Sequence, residues 1–296
     1  MRFAIFPHRP GLRPRFRIKK GGPIMSIFSS FCIVFALVLG RASADPLAIL
    51  FPYQYKGNID KVEFDEPSGL VYHPGRETIF VVGDNGDLCE IQTDGTPVKN
   101  VHHSEADYEG ITCDPATGLL YVAVEGEEKI LELDPEDFSL RPTFSIARTS
   151  DGKAVLKEGE QGIEGIAFAP DAAHPEGGVF YVANQGINLA VEEDLSAVCE
   201  VVLPLRSSDQ GATVSIESYF EPGFIDVSGL HYDADSDLLI LIGDAANSIF
   251  YARRTGELIG GHALPGNNQE GIAADAEGNI YIAQDSGGII KHLRRK

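Results

Sequence analysis

One short motif recurs five times along this chain: a polar pair, a glycine, then leucine or isoleucine. The copies are Glu66-Pro67-Ser68-Gly69-Leu70, Asp107-Tyr108-Glu109-Gly110-Ile111, Gly162-Ile163-Glu164-Gly165-Ile166, Asp226-Val227-Ser228-Gly229-Leu230 and Asn268-Gln269-Glu270-Gly271-Ile272. Their glycines are 41, 55, 64 and 42 residues apart. The short intervals fit a four-stranded blade, and the long ones carry insertions at 150–161 and 207–224. Each copy continues alike. A Pro-, Gly- or Asp-containing turn follows the motif, where proline fixes φ and glycine allows φ > 0. A β-branched and aromatic strand comes next, at 78–82, 119–124, 179–183, 238–242 and 279–283. A polar turn such as Asp84-Asn85-Gly86 or Asp285-Ser286-Gly287 ends it, and a third strand follows. Fourth strands are expected at 97–102 and 142–147. Strand and turn at even intervals are an all-β signature, and four-stranded units repeated about an axis make a β-propeller.

The expected architecture is therefore one all-β propeller domain over residues 45–296, with five four-stranded blades. Six blades is the alternative, if an insertion hides a degenerate copy. The fifth copy reaches Lys296 after its third strand. The apolar segment 47–55, ahead of the first motif, is expected to supply the missing outer strand, closing the ring and covering a sheet edge.

Residues 1–44 read as a signal peptide. A basic stretch (Arg2 to Lys20) precedes an apolar run from Ile24 to Leu39, and Ala42-Ser43-Ala44 has the small-x-small cleavage pattern. An uncleaved N-terminal membrane anchor is the alternative, although the run is short of the ~20 residues of a span. The protein is thus expected to be exported, either periplasmic or secreted, or else held at the inner membrane by this segment alone. Residues 1–44 carry eight basic and no acidic side chains, so without them the formal charge goes from −20 to −28. Such a chain repels phosphate backbones and anionic lipid, which excludes nucleic acid as a partner and favours cations. Of the four cysteines, Cys32 falls in the leader; the remaining Cys89, Cys113 and Cys199 are odd in number, lack CxxC spacing and sit in apolar runs. They read as buried structural thiols.

The repeated Ser/Glu-Gly-Leu/Ile starts, with strands ending in Gly-Asp-Asn-Gly and Ala-Gln-Asp-Ser, resemble the SdiA-regulated (YjiK-like) bacterial proteins from about Val62 to Ile290. The resemblance implies a five-bladed propeller and, in some members, bound calcium. A weaker likeness to esterase-like phytases leaves a hydrolase open.

In a propeller the start of each innermost strand and the turn between the second and third strands emerge on one face. Glu109, Glu164 and Glu270 occupy one repeat position there, shared with Ser68 and Ser228. Residues two apart on a strand share a side, which aligns Glu66, Asp107 and Asp226 with that position. Two carboxylates ~6 Å apart at an effective dielectric of ~20 repel by about 3 kcal/mol. A ring of them must protonate, hydrogen-bond to backbone, stay apart in water or bind a cation. No basic residue stands at an equivalent repeat position, so a hard dication is expected. Calcium, held by Glu109, Glu164, Glu270, Asp107, Glu66 and Asp226, tolerates irregular oxygen ligation. Ser68, Ser228, Asp84, Asn184, Asp244 and Asp285 are expected as supporting or ligand-facing groups. Asp233, Asp235, Asp237 and Asp244 mimic EF-hand spacing, but Leu238 fills the glycine position and the repeat makes this a hairpin turn.

No Gly-x-Ser-x-Gly elbow occurs. The functional expectation is a calcium-binding module that takes a ligand or partner protein on its acidic upper face. A calcium-dependent esterase, lactonase or phytase-like hydrolase is the alternative.

Overall fold

The computed structural model describes residues 52–157, 162–188 and 194–295. The proposed leader and the 47–51 part of the closing segment lie outside the described residues. No helix long and apolar enough to cross a membrane occurs among the described residues.

Strand β1 (Tyr53–Asn58) precedes the first motif. Blade 1 consists of β2 (Pro67–His73), β3 (Thr78–Gly83), β4 (Asp87–Gln92) and β5 (Pro97–His102). Blade 2 consists of β6 (Tyr108–Cys113), β7 (Leu120–Val124), β8 (Lys129–Leu133) and β9 (Leu140–Ile146). A hairpin, β10 (Thr149–Ser150) with β11 (Lys153–Ala154), follows. Blade 3 is built from β12 (Ile163–Pro170), β13 (Gly178–Asn184) and β14 (Ala197–Val201); after a short β15 (Thr213–Val214) it is completed by β16 (Ile216–Phe220). Blade 4 consists of β17 (Val227–Asp233), β18 (Leu238–Gly243), β19 (Ser248–Arg253) and β20 (Leu258–Ala263). Blade 5 holds β21 (Gln269–Ala274), β22 (Ile280–Gln284) and β23 (Gly288–Arg294). Its outer strand is β1, antiparallel to β23 from Tyr53↔Arg294 to Asn58↔Ile290. The fold is a five-bladed propeller, as the repeat predicts, and its closing strand lies at Tyr53–Asn58, overlapping the expected 47–55 segment only over 53–55.

The motif has a specific backbone form. In every blade the pairing of first and second strands slips at the motif: between Pro67 and Gly69, Tyr108 and Gly110, Ile163 and Gly165, Val227 and Gly229, and Gln269 and Ile272. This is a β-bulge, which leaves one residue out of the ladder and re-aims its side chain. The bulged residues include Ser68, Glu109, Glu164, Ser228 and Glu270, the shared repeat position.

The following glycine lies against the next blade. A Cβ on Gly69 would meet Glu109 O at 2.6 Å, on Gly110 Ile166 N at 2.9 Å, on Gly165 Leu230 Cβ at 3.0 Å, on Gly229 Glu270 O at 2.1 Å, and on Gly271 Ser68 O at 2.6 Å. These five approaches run once round the ring, and only a residue without Cβ allows them. The same packing nearly shuts the axis, where the motif residues leave a space of about 10 Å³, room for roughly one water.

Five apolar clusters fill the five junctions between neighbouring blades. Tyr121, Phe144, Phe168 and Phe180 anchor the one between blades 2 and 3, and Phe80, Tyr108 and Phe138 the one between blades 1 and 2. Ala183, Leu230 and Leu241 lie between blades 3 and 4, Ile242, Ile272 and Ile282 between 4 and 5, and Leu70, Val81 and Tyr281 between 5 and 1. Cys89, Cys113 and Cys199 are free and buried, and burial pushes each thiol up to about 12. The 207–224 insertion is no hidden blade. It carries β15 back to blade 2, where Thr213 and Val214 pair in parallel with Ser145 and Ile146 of β9.

Candidate metal centre

The residue after the second strand is tied to the residue that precedes the first strand. Glu125 N–H donates to Asp107 O at 3.0 Å, Gln185 N–H to Gly162 O at 3.2 Å, Asp244 N–H to Asp226 O at 3.0 Å, and Asp285 N–H to Asn268 O at 3.1 Å. This bond sets the polar turn beside the bulge, so turn acids and bulge acids converge.

Convergence is tightest between blades 1 and 2. Asp84, Asp107 and Glu109 each offer a carboxylate oxygen within 4.8 Å of the others. Asp84 accepts a hydrogen bond from Ser68 Oγ. Asp107 Oδ1 is buried with no hydrogen-bond partner; the Asp107 group interacts with the carboxyls of Glu109, Glu125 and Asp84. Glu109 is 9 % exposed and Glu164 7 %. Burial is the largest cause that drives the carboxyl of Glu109 well above the usual range, followed by Glu164, Asp84 and Asp107. Burial does the same to Glu164, aided by Glu125 and Glu270. Glu270 is pushed up to about 9 by burial, with Asp244, Asp226, Asp285 and Asp84 adding to it. The charged neighbours that raise these three groups are all carboxylates: Glu164 acts on Glu109 and Glu270 on Glu164, while aspartates act on Glu270.

Several predicted residues take other roles. Glu66 and Asp226 have φ of 47° and 64° and precede the strands, so the two-residue alternation that aligned them with the bulge does not reach them. Glu66 is exposed and accepts a bond from Asn85 Nδ2 at 3.2 Å. Asp226 is engaged by Gln185 Nε2 at 2.8 Å and Ala245 N–H at 3.0 Å. Ser228 Oγ donates to Gln269 O at 2.6 Å, bridging blades 4 and 5. Asn184 is fully buried and ties β13 to β14 through Ala197 N–H at 2.8 Å. Asp244 accepts from Gln269 N–H at 2.7 Å, and Asp285 meets Asn268 Nδ2 at 3.5 Å. Asp84, expected in support, stands instead in the tightest cluster. Glu125 was absent from the expected ligand set. It accepts Gly162 N–H at 2.9 Å and faces Glu164 and Asp107. Its place in the turn after the second strand was the available signal.

Asp233 to Leu238 form the hairpin turn between β17 and β18, with Asp237 accepting from Tyr232 OH at 2.8 Å.

A sequence profile described as SdiA-regulated matches residues 50–286. Among solved structures, glutaminyl cyclase from Myxococcus xanthus aligns with a TM-score of 0.55 at 12% identity, over 83% of this chain and 94% of that one. The Cps50 (Swd1) beta-propeller domain of Myceliophteria thermophila aligns with a TM-score of 0.47 at 9% identity, over 83% of this chain and 100% of that one. At 12% identity the likeness to the glutaminyl cyclase is one of fold. No curated protein matches the sequence.

Proposed function

The chain belongs to the SdiA-regulated family, and from that footing we propose that it is an exported, calcium-binding β-propeller that engages a ligand or partner protein on the acidic face around its axis. The observation that carries this reading is Asp107 Oδ1, a buried acceptor with no hydrogen-bond partner that lies among carboxyls. Such an atom is satisfied by a proton shared between carboxyls or by a cation. The donor set is oxygen only and irregular, which suits calcium better than magnesium. Asp84, Asp107 and Glu109 would hold the ion, with Glu125 beside them. The ion would supply counter-charge and fix the tops of blades 1 and 2 against each other.

For the hydrolase reading, neither ring serine is free to act as a nucleophile. Ser68 is engaged by Asp84 and Ser228 by Gln269 O, and the nearby His103 bonds Tyr108 OH at 2.7 Å and meets Phe138 O at 3.0 Å.

Calcium should raise the melting temperature of EDTA-treated protein. At ten times Kd the stabilisation is about 1.4 kcal/mol, or roughly 3–6 °C in a domain of this size. Magnesium should do less. Asp107→Asn and Glu109→Gln should fold and lose the calcium shift. A melting curve indifferent to calcium in the unsubstituted protein would remove the metal from this reading.

A further inference from the structure

At the other end of β6 from Glu109, between blades 2 and 3, lies a cavity of about 720 Å³, within the range of sites for small organic ligands. Its floor is best understood by comparing blades. At one register position the second and third strands pair Phe80 with Glu90, Tyr121 with Glu132 and Tyr181 with Glu200 in blades 1, 2 and 3. In blade 1 an arginine covers the carboxylate: Arg76 Nε reaches Glu90 Oε1 at 2.8 Å and its terminal nitrogen reaches Oε2 at 3.1 Å. Thr78 Oγ1 adds a third bond at 2.7 Å. In blade 3 Tyr181 OH donates to Glu200 Oε2 at 2.6 Å, and Arg254 Nε donates to the same hydroxyl at 2.8 Å.

In blade 2, no arginine hydrogen-bonds the pair among the described residues. Arg141, the guanidinium that acts on Glu132, is bound by Asp134 Oδ2 at 2.7 Å. Glu132 is nonetheless 7 % exposed and Tyr121 1 %, and both line the cavity together with Phe144. The lining carries four carboxylates, those of Asp114, Glu132, Glu176 and Asp209, against the two guanidinium groups of Arg141 and Arg206. Tyr121 hydrogen-bonds Glu132 and Arg141 acts on it only through its charge, which leaves acceptor capacity on a buried carboxylate that a planar guanidinium fills through two parallel bonds. The aromatic walls favour the same ligand.

We propose that this cavity binds a guanidinium-bearing ligand, free or as an arginine side chain, which takes beside the Tyr121–Glu132 pair the place that Arg76 takes on Glu90 and Arg254 on the Tyr181 hydroxyl. The site is separate from the acid ring and does not depend on calcium. Titration calorimetry of the purified protein should show binding of L-arginine, agmatine and guanidinium chloride. L-citrulline, neutral and nearly isosteric with arginine, should bind at least about tenfold more weakly, the loss of one charge-assisted contact. Glu132→Gln should weaken arginine at least about tenfold while the calcium-dependent melting shift stays in place. Leu205→Trp places an indole on the wall of the cavity, leaves the Tyr121–Glu132 pair intact, and should weaken binding. Equal affinity for arginine and citrulline, arginine affinity unchanged in Glu132→Gln or Leu205→Trp, or no binding by any of the three cations would overturn the proposal.

Discussion

Replacing Gly229 by alanine is expected to lower the melting temperature by roughly 6–12 °C, from a loss of about 3 kcal/mol. The added Cβ would sit 2.1 Å from Glu270 O and 3.3 Å from Ile242 Cβ. The first contact is with backbone of the next blade, which no rotamer change relieves. The effect lies in contact and not in conformation, because Gly229 is not among the glycines with positive φ. In open space a glycine-to-alanine change would instead stabilise slightly, by reducing the freedom of the unfolded chain. Gly260, in β20, provides that comparison: a Cβ there meets nothing within 4 Å. Calorimetry of Gly229→Ala beside Gly260→Ala tests the argument, and similar melting points in the two variants would refute it.

The second large effect is an inverted pH dependence in calcium-free protein. Most proteins lose stability in acid because folded carboxylates are paired and must be protonated. Here the carboxyls of Glu109, Glu164 and Glu270 are raised by burial and by neighbouring carboxylates. A carboxyl raised in the folded state binds its proton more tightly there than in the unfolded chain. Its contribution is full below the unfolded pKa and is lost as pH climbs through the folded value. For Glu270 that window runs from the ordinary 4.5 to about 9. Within it each such group removes about 1.4 kcal/mol per pH unit. Between about pH 5 and about pH 8, Glu270 alone would cost up to about 4 kcal/mol. Melting temperature measured in EDTA should therefore fall across this range. Saturating calcium should flatten the curve, since the ion does in neutral solution what protons do in acid. Glu270→Gln should flatten it too, without metal. A calcium-free protein that grows more stable from pH 5 to pH 8 would show that the ring is compensated by some other means.

The blades were legible in the sequence because a repeat reports its own geometry. The expected second strands at 78–82 and 238–242 differ from β3 and β18 by the one residue that joins each at its end. The convergence of Glu109, Glu164 and Glu270 was legible for the same reason: one repeat position in a ring is one radius. What stayed hidden depends on local irregularity. A bulge leaves no mark in a Ser-Gly-Leu string that also reads as plain strand, so Glu66 and Asp226 were placed by an alternation that stops one residue short of them. Strand β15 is two residues long and pairs with another blade, a contact no periodicity encodes. The cavity over Glu132 turns on a side-chain choice. Arg76 reaches across to Glu90, whereas Arg141 turns to Asp134, and composition cannot distinguish the two.

The pairing of β1 with β23 also constrains when the molecule can fold. Tyr53 meets Arg294, so the earliest described strand waits until residue 294 has been made. Joining segments so far apart directly carries a chain-entropy cost of about 5 kcal/mol beyond a constant. The intermediate blades must therefore assemble first and carry the two ends together. Until then blades 1 and 5 each expose an inner face, so a nascent or threading chain is an open crescent with uncovered apolar flanks. A message cut short before codon 288 yields a product that stays in that state, which makes it a substrate for chaperones and proteases instead of a smaller working protein.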